Sequence, residues 1–145
     1  MLSPAELGRY LHEQIPLTRA MEVHVVECDD AHLVLSAPLA PNRNHLRTAF
    51  GGSLHTLATL SGYSLLWWLL GDPHAHIVIR ESTIRYDRPV RGDLRAVCCS
   101  PGAEVLARFR QDFARKGKAR LTLEATIEDG GETAVSFRGV FVALR

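Results

Sequence analysis

Apolar and polar residues alternate one by one from Lys118 to Glu128. Ala119, Leu121, Leu123, Ala125 and Ile127 fall on one side; Arg120, Thr122, Glu124, Thr126 and Glu128 fall on the other. A strict period of two predicts a β-strand with one face in a core and one in water. Asp129-Gly130-Gly131 is hairpin-turn chemistry, and Val135, Phe137 and Phe141 continue the apolar face on the returning strand. Residues Ile77 to Tyr86 are β-branched and long enough for a strand, and Asp93 to Cys99 predict another. Nearer the start, Met21 to Cys28 and Leu33 to Leu39 are rich in Val and Leu, and Asp29-Asp30 lies between them. They predict a first hairpin.

The helical period occurs in three places. Ser3-Pro4-Ala5-Glu6 joins a capping residue, a first-turn proline and a glutamate three after the cap. With the stripe Leu7, Tyr10 and Leu11 it predicts a helix over residues 3–15, ended by Pro16. Gly51-Gly52-Ser53 opens a second helix, predicted over about 52–70 and stopped by Gly71-Asp72-Pro73. No Asp, Glu, Lys or Arg lies between Arg47 and Asp72, so this helix is apolar nearly all round and must be enclosed. Its serines, threonines, glycines and His55 argue for a helix buried inside a protein, not one crossing a bilayer. After Ser100-Pro101, a short helical stretch puts Val105, Leu106, Phe109 and Phe113 on one face. Ala40 to Thr48, with Pro41, Asn42 and Asn44, predicts a loop. The pattern is α+β: antiparallel strands with one apolar face, covered by a single central helix in one domain spanning residues 1–145.

Composition narrows the function. A net charge of +1 excludes a binder drawn to nucleic acid by charge, while leaving room for a local basic pocket for a phosphorylated ligand. Cys28, Cys98 and Cys99 are odd in number and contain no C-x-x-C pair, so neither a disulfide framework nor a metal site is expected. Adjacent Cys98 and Cys99 in a strand point to opposite faces. Free thiols, and a start that lacks the basic and apolar regions of a signal peptide, lead to the expectation of a cytoplasmic protein.

The order strand, strand, helix, four strands resembles the hotdog fold, a curved antiparallel sheet wrapped around one long central helix. Three motifs carry the resemblance to hotdog thioesterases. Asn44 is followed by five residues and then Phe50-Gly51-Gly52, where those proteins carry His-Gly-Gly. The long strand ends in Tyr86-Asp87-Arg88-Pro89, with Gly92-Asp93 close behind. Lys116-Gly117-Lys118-Ala119-Arg120 leads into the alternating strand. The likeness spans residues 20 to 145 and is greatest to the thioesterase branch of YiiD C-terminal type. It implies hydrolysis of an acyl thioester of coenzyme A or of a phosphopantetheine carrier protein. No bound cofactor is implied, and no nucleic-acid or membrane partner. It also implies a homodimer or dimer of dimers joined through sheet edges.

The resemblance places an oxyanion donor at Gly52, with Gly51 beside it at a helix N-terminus whose N–H groups are free. The bare alternative is that two glycines only permit a tight turn into the helix. Asn44 offers an amide that holds a carbonyl or water, or one that bonds its own loop. The helix carboxylate common in the family falls at Thr59, whose hydroxyl stays protonated and can only help to hold water. His55, one turn earlier, has the chemistry for acid–base work, and Ser61 is near; a lone histidine on a buried helix is otherwise structural. Glu81 is the nearest carboxylate candidate in the sheet, and Phe50 removes a polar group from the pocket. Arg88 and Arg91, with Arg115, Lys116 and Lys118, are candidates for phosphate contact or simply solvated. Trp67 and Trp68 are core or interface residues, or the closure of an acyl tunnel. Three readings stand: a thioesterase with Asn44, Gly52 and Thr59 as its catalytic set; a non-catalytic acyl-thioester binder; and, with the histidine and acid missing at Phe50 and Thr59, a hydratase as the weakest.

Overall fold

The computed structural model describes residues 3–145. Ser3 caps helix α1 (Pro4–Gln14): its hydroxyl accepts the Glu6 N–H at 3.2 Å, and Glu6 Oε2 accepts the Ser3 N–H at 2.7 Å. Pro16 ends α1 as expected, but it also starts a short helix, α2 (Pro16–Ala20). A proline has no N–H to lose at a first helical position, and its fixed φ suits one.

Strand β1 (His24–Cys28) begins three residues later than the apolar run, because Met21 to Val23 complete the turn out of α2. Strand β2 (His32–Ala37) returns antiparallel to it. The turn between them is held by Asp29 Oδ1, which accepts the N–H groups of Ala31 and His32 at 2.8 and 2.9 Å. His32 Nε2 lies 2.7 Å from Glu27 Oε2, and that hydrogen bond is the chief reason the imidazole pKa is raised above its ordinary value. The resulting stabilisation is complete below the unfolded value of about 6.5 and is lost as pH rises through the raised folded value. Thermal melts of the wild type and His32→Gln across that range should show a wild-type advantage that shrinks as pH rises. A constant advantage would sink the assignment.

The expected loop contains a single helical turn, α3 (Leu39–Asn42), where local hydrogen bonding wins over its turn-rich composition. Helix α4 (Gly51–Leu70) follows, one residue earlier at its start than the sequence suggests. It ends in Gly71 at φ 62°, the left-handed position that favours glycine. No helix among the described residues is long and apolar enough to cross a membrane. Strands β3 (His76–Tyr86), β4 (Leu94–Cys99), β5 (Lys118–Asp129) and β6 (Glu132–Leu144) complete one antiparallel sheet, ordered β1-β2-β4-β5-β6-β3. In β5 the five predicted inward residues are all buried, and Cys98 is buried where Cys99 is exposed.

The sheet lays its apolar face on α4, and the contact is close. Added Cβ atoms on Gly62 of α4 and Gly139 of β6 would fall 2.5 and 2.9 Å from the Phe141 ring. Helix α5 (Ala103–Lys116) is longer than the short stretch expected. It packs against β5, which β4 meets only through Ala96–Cys98. Phe109 and Phe113 are buried in it and Leu106 partly so, but Val105 is exposed, beside an outer-face groove.

One irregularity in β3 decides the site. Ile77 and Ile79 face α4, and strict alternation would turn Glu81 the same way. The register shifts between Ile79 and Glu81, as a bulge at Arg80 requires. Beyond it Ser82, Ile84 and Tyr86 form the inward row, and Glu81 joins Val140 and Thr122 on the outer face.

Candidate active site

The segment before α4 is a small ladder. Phe50 N–H donates to Asn42 O at 2.8 Å, Asn44 N–H to Thr48 O at 2.7 Å, and Ala49 N–H to Val90 O at 2.8 Å. Asn44 works inside this turn. Its Oδ1 accepts the N–H groups of Leu46 and Thr48, and its Nδ2 donates to Thr48 Oγ1 at 2.9 Å. The structure therefore puts Asn44 in the loop-shaping role and not against Gly52. The residue that ties the loop to the body is Asn42, buried, whose Nδ2 donates to Met21 O and Pro38 O. Nothing in the sequence separates these two asparagines.

The ladder delivers α4 with an open N-terminus. Phe50 stands at the cap with no side-chain acceptor, and the first helical bond is Leu54 N–H to Phe50 O at 3.0 Å. Among the described residues, the N–H groups of Gly51, Gly52 and Ser53 have no hydrogen-bond partner. A side-chain cap is worth about 1 kcal/mol, and α1 has one while α4 does not. The exposed Phe50 ring lies over Gly52, where an added Cβ would fall 2.4 Å from it and turn the ring aside. Gly51 packs beside Tyr86, whose hydroxyl donates to Gly51 O at 3.3 Å.

From Gly52 a groove of about 580 Å³ runs between α4 and β3. Its polar wall is His55, Thr56, Thr59 and Ser82. The two threonines donate back to their own helix, Thr56 to Gly52 O and Thr59 to His55 O at 2.8 and 2.9 Å. Their hydroxyl protons are occupied, and their lone pairs can accept from water. His55 Nε2 lies 3.1 Å from Ser82 Oγ. Either Nε2 accepts the serine hydroxyl, or Nε2–H donates to Ser82 Oγ and leaves Nδ1 with the free basic lone pair. Ser82 is the site residue that sequence reading missed, because only the bulge at Arg80 turns it inward.

The groove thus unites Gly52, His55 and Thr59, with Phe50 and Gly51 at its mouth. Glu81 is excluded: the bulge places it in a separate groove on the outer face, with Arg80 and Arg120. No carboxylate is among the residues lining the His55 groove. Ser61 is buried on another side of α4 and donates to Ala58 O. Arg88 and Arg91 flank Val90, which bonds the loop leading to Gly51, so both sit at the open end of α4. Arg88 pairs with Glu132, and the Arg91 N–H donates to Asp129. Arg115, Lys116 and Lys118 lie at the other end of the sheet, since Lys118 pairs with Leu144 and Leu144 with His76, whereas Tyr86 marks the Gly51 end. The Cys28 and Cys98 thiols are pushed up to about 12, chiefly by burial, and no cysteine lines the groove, so thiolate chemistry has no place in it.

A curved six-stranded antiparallel sheet wrapped on one long helix, with a groove opening at that helix's free N-terminus, defines a hotdog-fold protein of thioesterase type. The chain belongs to the family described as "Putative thioesterase (yiiD_Cterm)", whose model matches residues 4–145. It is similar to a solved protein of unknown function from Chlorobaculum tepidum, at 32% identity and a TM-score of 0.91, covering 99% of this chain and 98% of that one. A thioesterase, so termed provisionally, from Shewanella oneidensis is 30% identical with a TM-score of 0.84, over 98% and 97% of the two chains. A probable thioesterase from Pseudomonas aeruginosa is 27% identical at the same TM-score, over 99% and 97%.

Proposed function

We propose that this protein hydrolyses acyl thioesters of coenzyme A or of a carrier protein. The observation that carries the reading is the convergence of free helix N–H groups at Gly51 and Gly52, an accessible His55 held by Ser82, and Thr59 on one groove. The thioester carbonyl oxygen docks on the Gly52 N–H, where the helix dipole favours the developing negative charge. Water held by Thr59 attacks the carbonyl carbon and passes its proton to the unprotonated ring nitrogen of His55, whose Nε2–H is held by Ser82 Oγ. The tetrahedral intermediate collapses, the C–S bond breaks, and the imidazolium returns the proton to the leaving thiolate. The products are a carboxylic acid and a free thiol, and no cofactor takes part. Asn44 acts by shaping the loop, and Arg88 and Arg91, at the mouth, are the phosphate contacts of the carrier.

A second copy of the chain completes the groove in this reading. β3 is an eleven-residue edge strand with Val78 and Ile79 exposed, the kind of edge that solution proteins cover. Sedimentation should give a dimer mass or a multiple of it, and Val78→Lys should shift it toward the monomer. A monomeric wild type would overturn this part.

The test is hydrolysis of an acyl-CoA panel followed by mass detection of the free acid. Thr59→Ala should lower turnover roughly fivefold, the loss of one water-holding contact of about 1 kcal/mol. The lack of a groove carboxylate favours one other reading, an acyl-thioester binder without turnover. Tight binding of acyl-CoA with no acid released would select it.

A further inference from the structure

Beyond Thr59 the groove turns apolar, lined by Leu60, Ile77, Ile79 and Phe141, and Tyr63, the lining residue farthest along α4 from Gly52, and Ile15 complete its lining. Tyr63 is braced by the N-terminal helical segment, to which Ile15 belongs. The Tyr63 hydroxyl meets the Tyr10 hydroxyl of α1 at 3.5 Å, and the Tyr10 ring stacks on Trp67 with centroids 4.4 Å apart and planes 12° apart. Ile15 is the hinge residue between α1 and α2. A side chain backed by a stacked pair cannot swing aside as a lone surface tyrosine would.

Resting on the thioesterase reading above, we propose that the Tyr63–Tyr10–Trp67 stack with Ile15 is a length stop that selects medium-chain acyl groups. Gly52 and Tyr63 are eleven residues apart on one helix face, about 16 Å along the axis at 1.5 Å per residue. Helical side chains lean back toward the N-terminus by about one turn, roughly 5 Å, which leaves about 11 Å for the acyl chain. An extended chain advances about 1.25 Å per carbon by ordinary covalent geometry, so the space holds roughly nine carbons. The polar-to-apolar gradient runs the right way for this: hydroxyls and His55 stand by the carbonyl, and aliphatic walls surround the tail.

The test measures kcat/KM for acyl-CoA esters from four to eighteen carbons, and, in parallel, calorimetric binding of their non-hydrolysable thioether analogues. The intact wild type should peak at medium length and fall at least tenfold by sixteen carbons. Tyr63→Ala should raise the ratio of long-chain to medium-chain kcat/KM tenfold or more, and Ile15→Trp should move the optimum shorter. Tyr10→Ala, which leaves α4 and the groove wall intact, should loosen the long-chain cutoff in the same direction as Tyr63→Ala. A length profile that none of the three variants changes overturns the stop. Analogue binding with the expected length shifts but no hydrolysis would uphold the stop while removing the catalytic reading. No analogue binding at any length would overturn both.

Discussion

Replacing His55 with alanine is expected to lower kcat/KM for the best acyl thioester about 100- to 10,000-fold, the usual worth of a general base. The groove offers no substitute. Its other polar side chains are Thr56, Thr59, Ser82 and Tyr63, and both threonines donate into their own helix. Ser82→Ala is expected to cost much less, about tenfold, because it orients the imidazole without taking the proton from water. The ordering separates two mechanisms. A Ser82 nucleophile forming an acyl-enzyme would make the two losses equal, and rapid-quench mass spectrometry would find the protein heavier by one acyl group. A His55→Ala loss under fivefold would remove His55 from the chemistry. Unfolding curves of each variant separate lost chemistry from lost structure, as His55 also rests 5.9 Å from the Phe137 ring.

What the residues disclosed on their own follows their periodicity. The alternation in β5 and the uncharged helix α4 are each set by a repeating pattern with one strong solution, and both stand where the pattern puts them. The features that escaped are single-residue events. The bulge at Arg80 is one extra residue in β3, and a slip of one exchanges faces for everything after it. It removed Glu81 from the groove and brought Ser82 in, so the nearest carboxylate candidate in the sheet was lost and a partner for His55 was found. The choice between Asn42 and Asn44 is of the same kind: two equal residues in one loop, one turned inward to Met21 O and one outward into its own turn. The Tyr10–Tyr63 contact spans 53 residues of chain, and no local pattern encodes such a meeting. The helix start at Gly51–Gly52, by contrast, was legible, because a glycine pair ahead of a long uncharged run marks a loop-to-helix entry.

In the proposed mechanism the two halves of the site are unequal. The electrophilic half draws on a fixed loop, an uncapped helix and glycines at its start. The acid–base half rests on one imidazole. A rate limited by water activation then responds strongly to His55 and weakly to the loop. Asn44→Ala should act through the position of Gly51–Gly52, raising KM along with any fall in kcat.

Phe141→Ala is expected to destabilise the fold by about 3–5 kcal/mol, the range for deleting a buried phenyl group, and so to remove a large part of a total of about 5–15 kcal/mol. Phe141 is 1% exposed, pairs with Leu121 and Ile79 in the row facing α4, and lines the groove between α4 and β3. Its ring fills the space above Gly62 and Gly139 so closely that neither position tolerates a Cβ without movement. This makes a sign reversal available. In the wild type, Gly62→Ala drives a methyl to within 2.5 Å of the ring and overpacks the core, at about 1–3 kcal/mol. In the Phe141→Ala background the ring is gone, so the same substitution partly fills the cavity and gains about 1 kcal/mol of helix propensity. Denaturant midpoints at constant m-value should therefore fall for Gly62→Ala alone and rise when it is added to Phe141→Ala. Equal effects in both backgrounds would mean that Gly62 is not shaped by the ring, and that the close seating of the sheet on α4 does not depend on this pair.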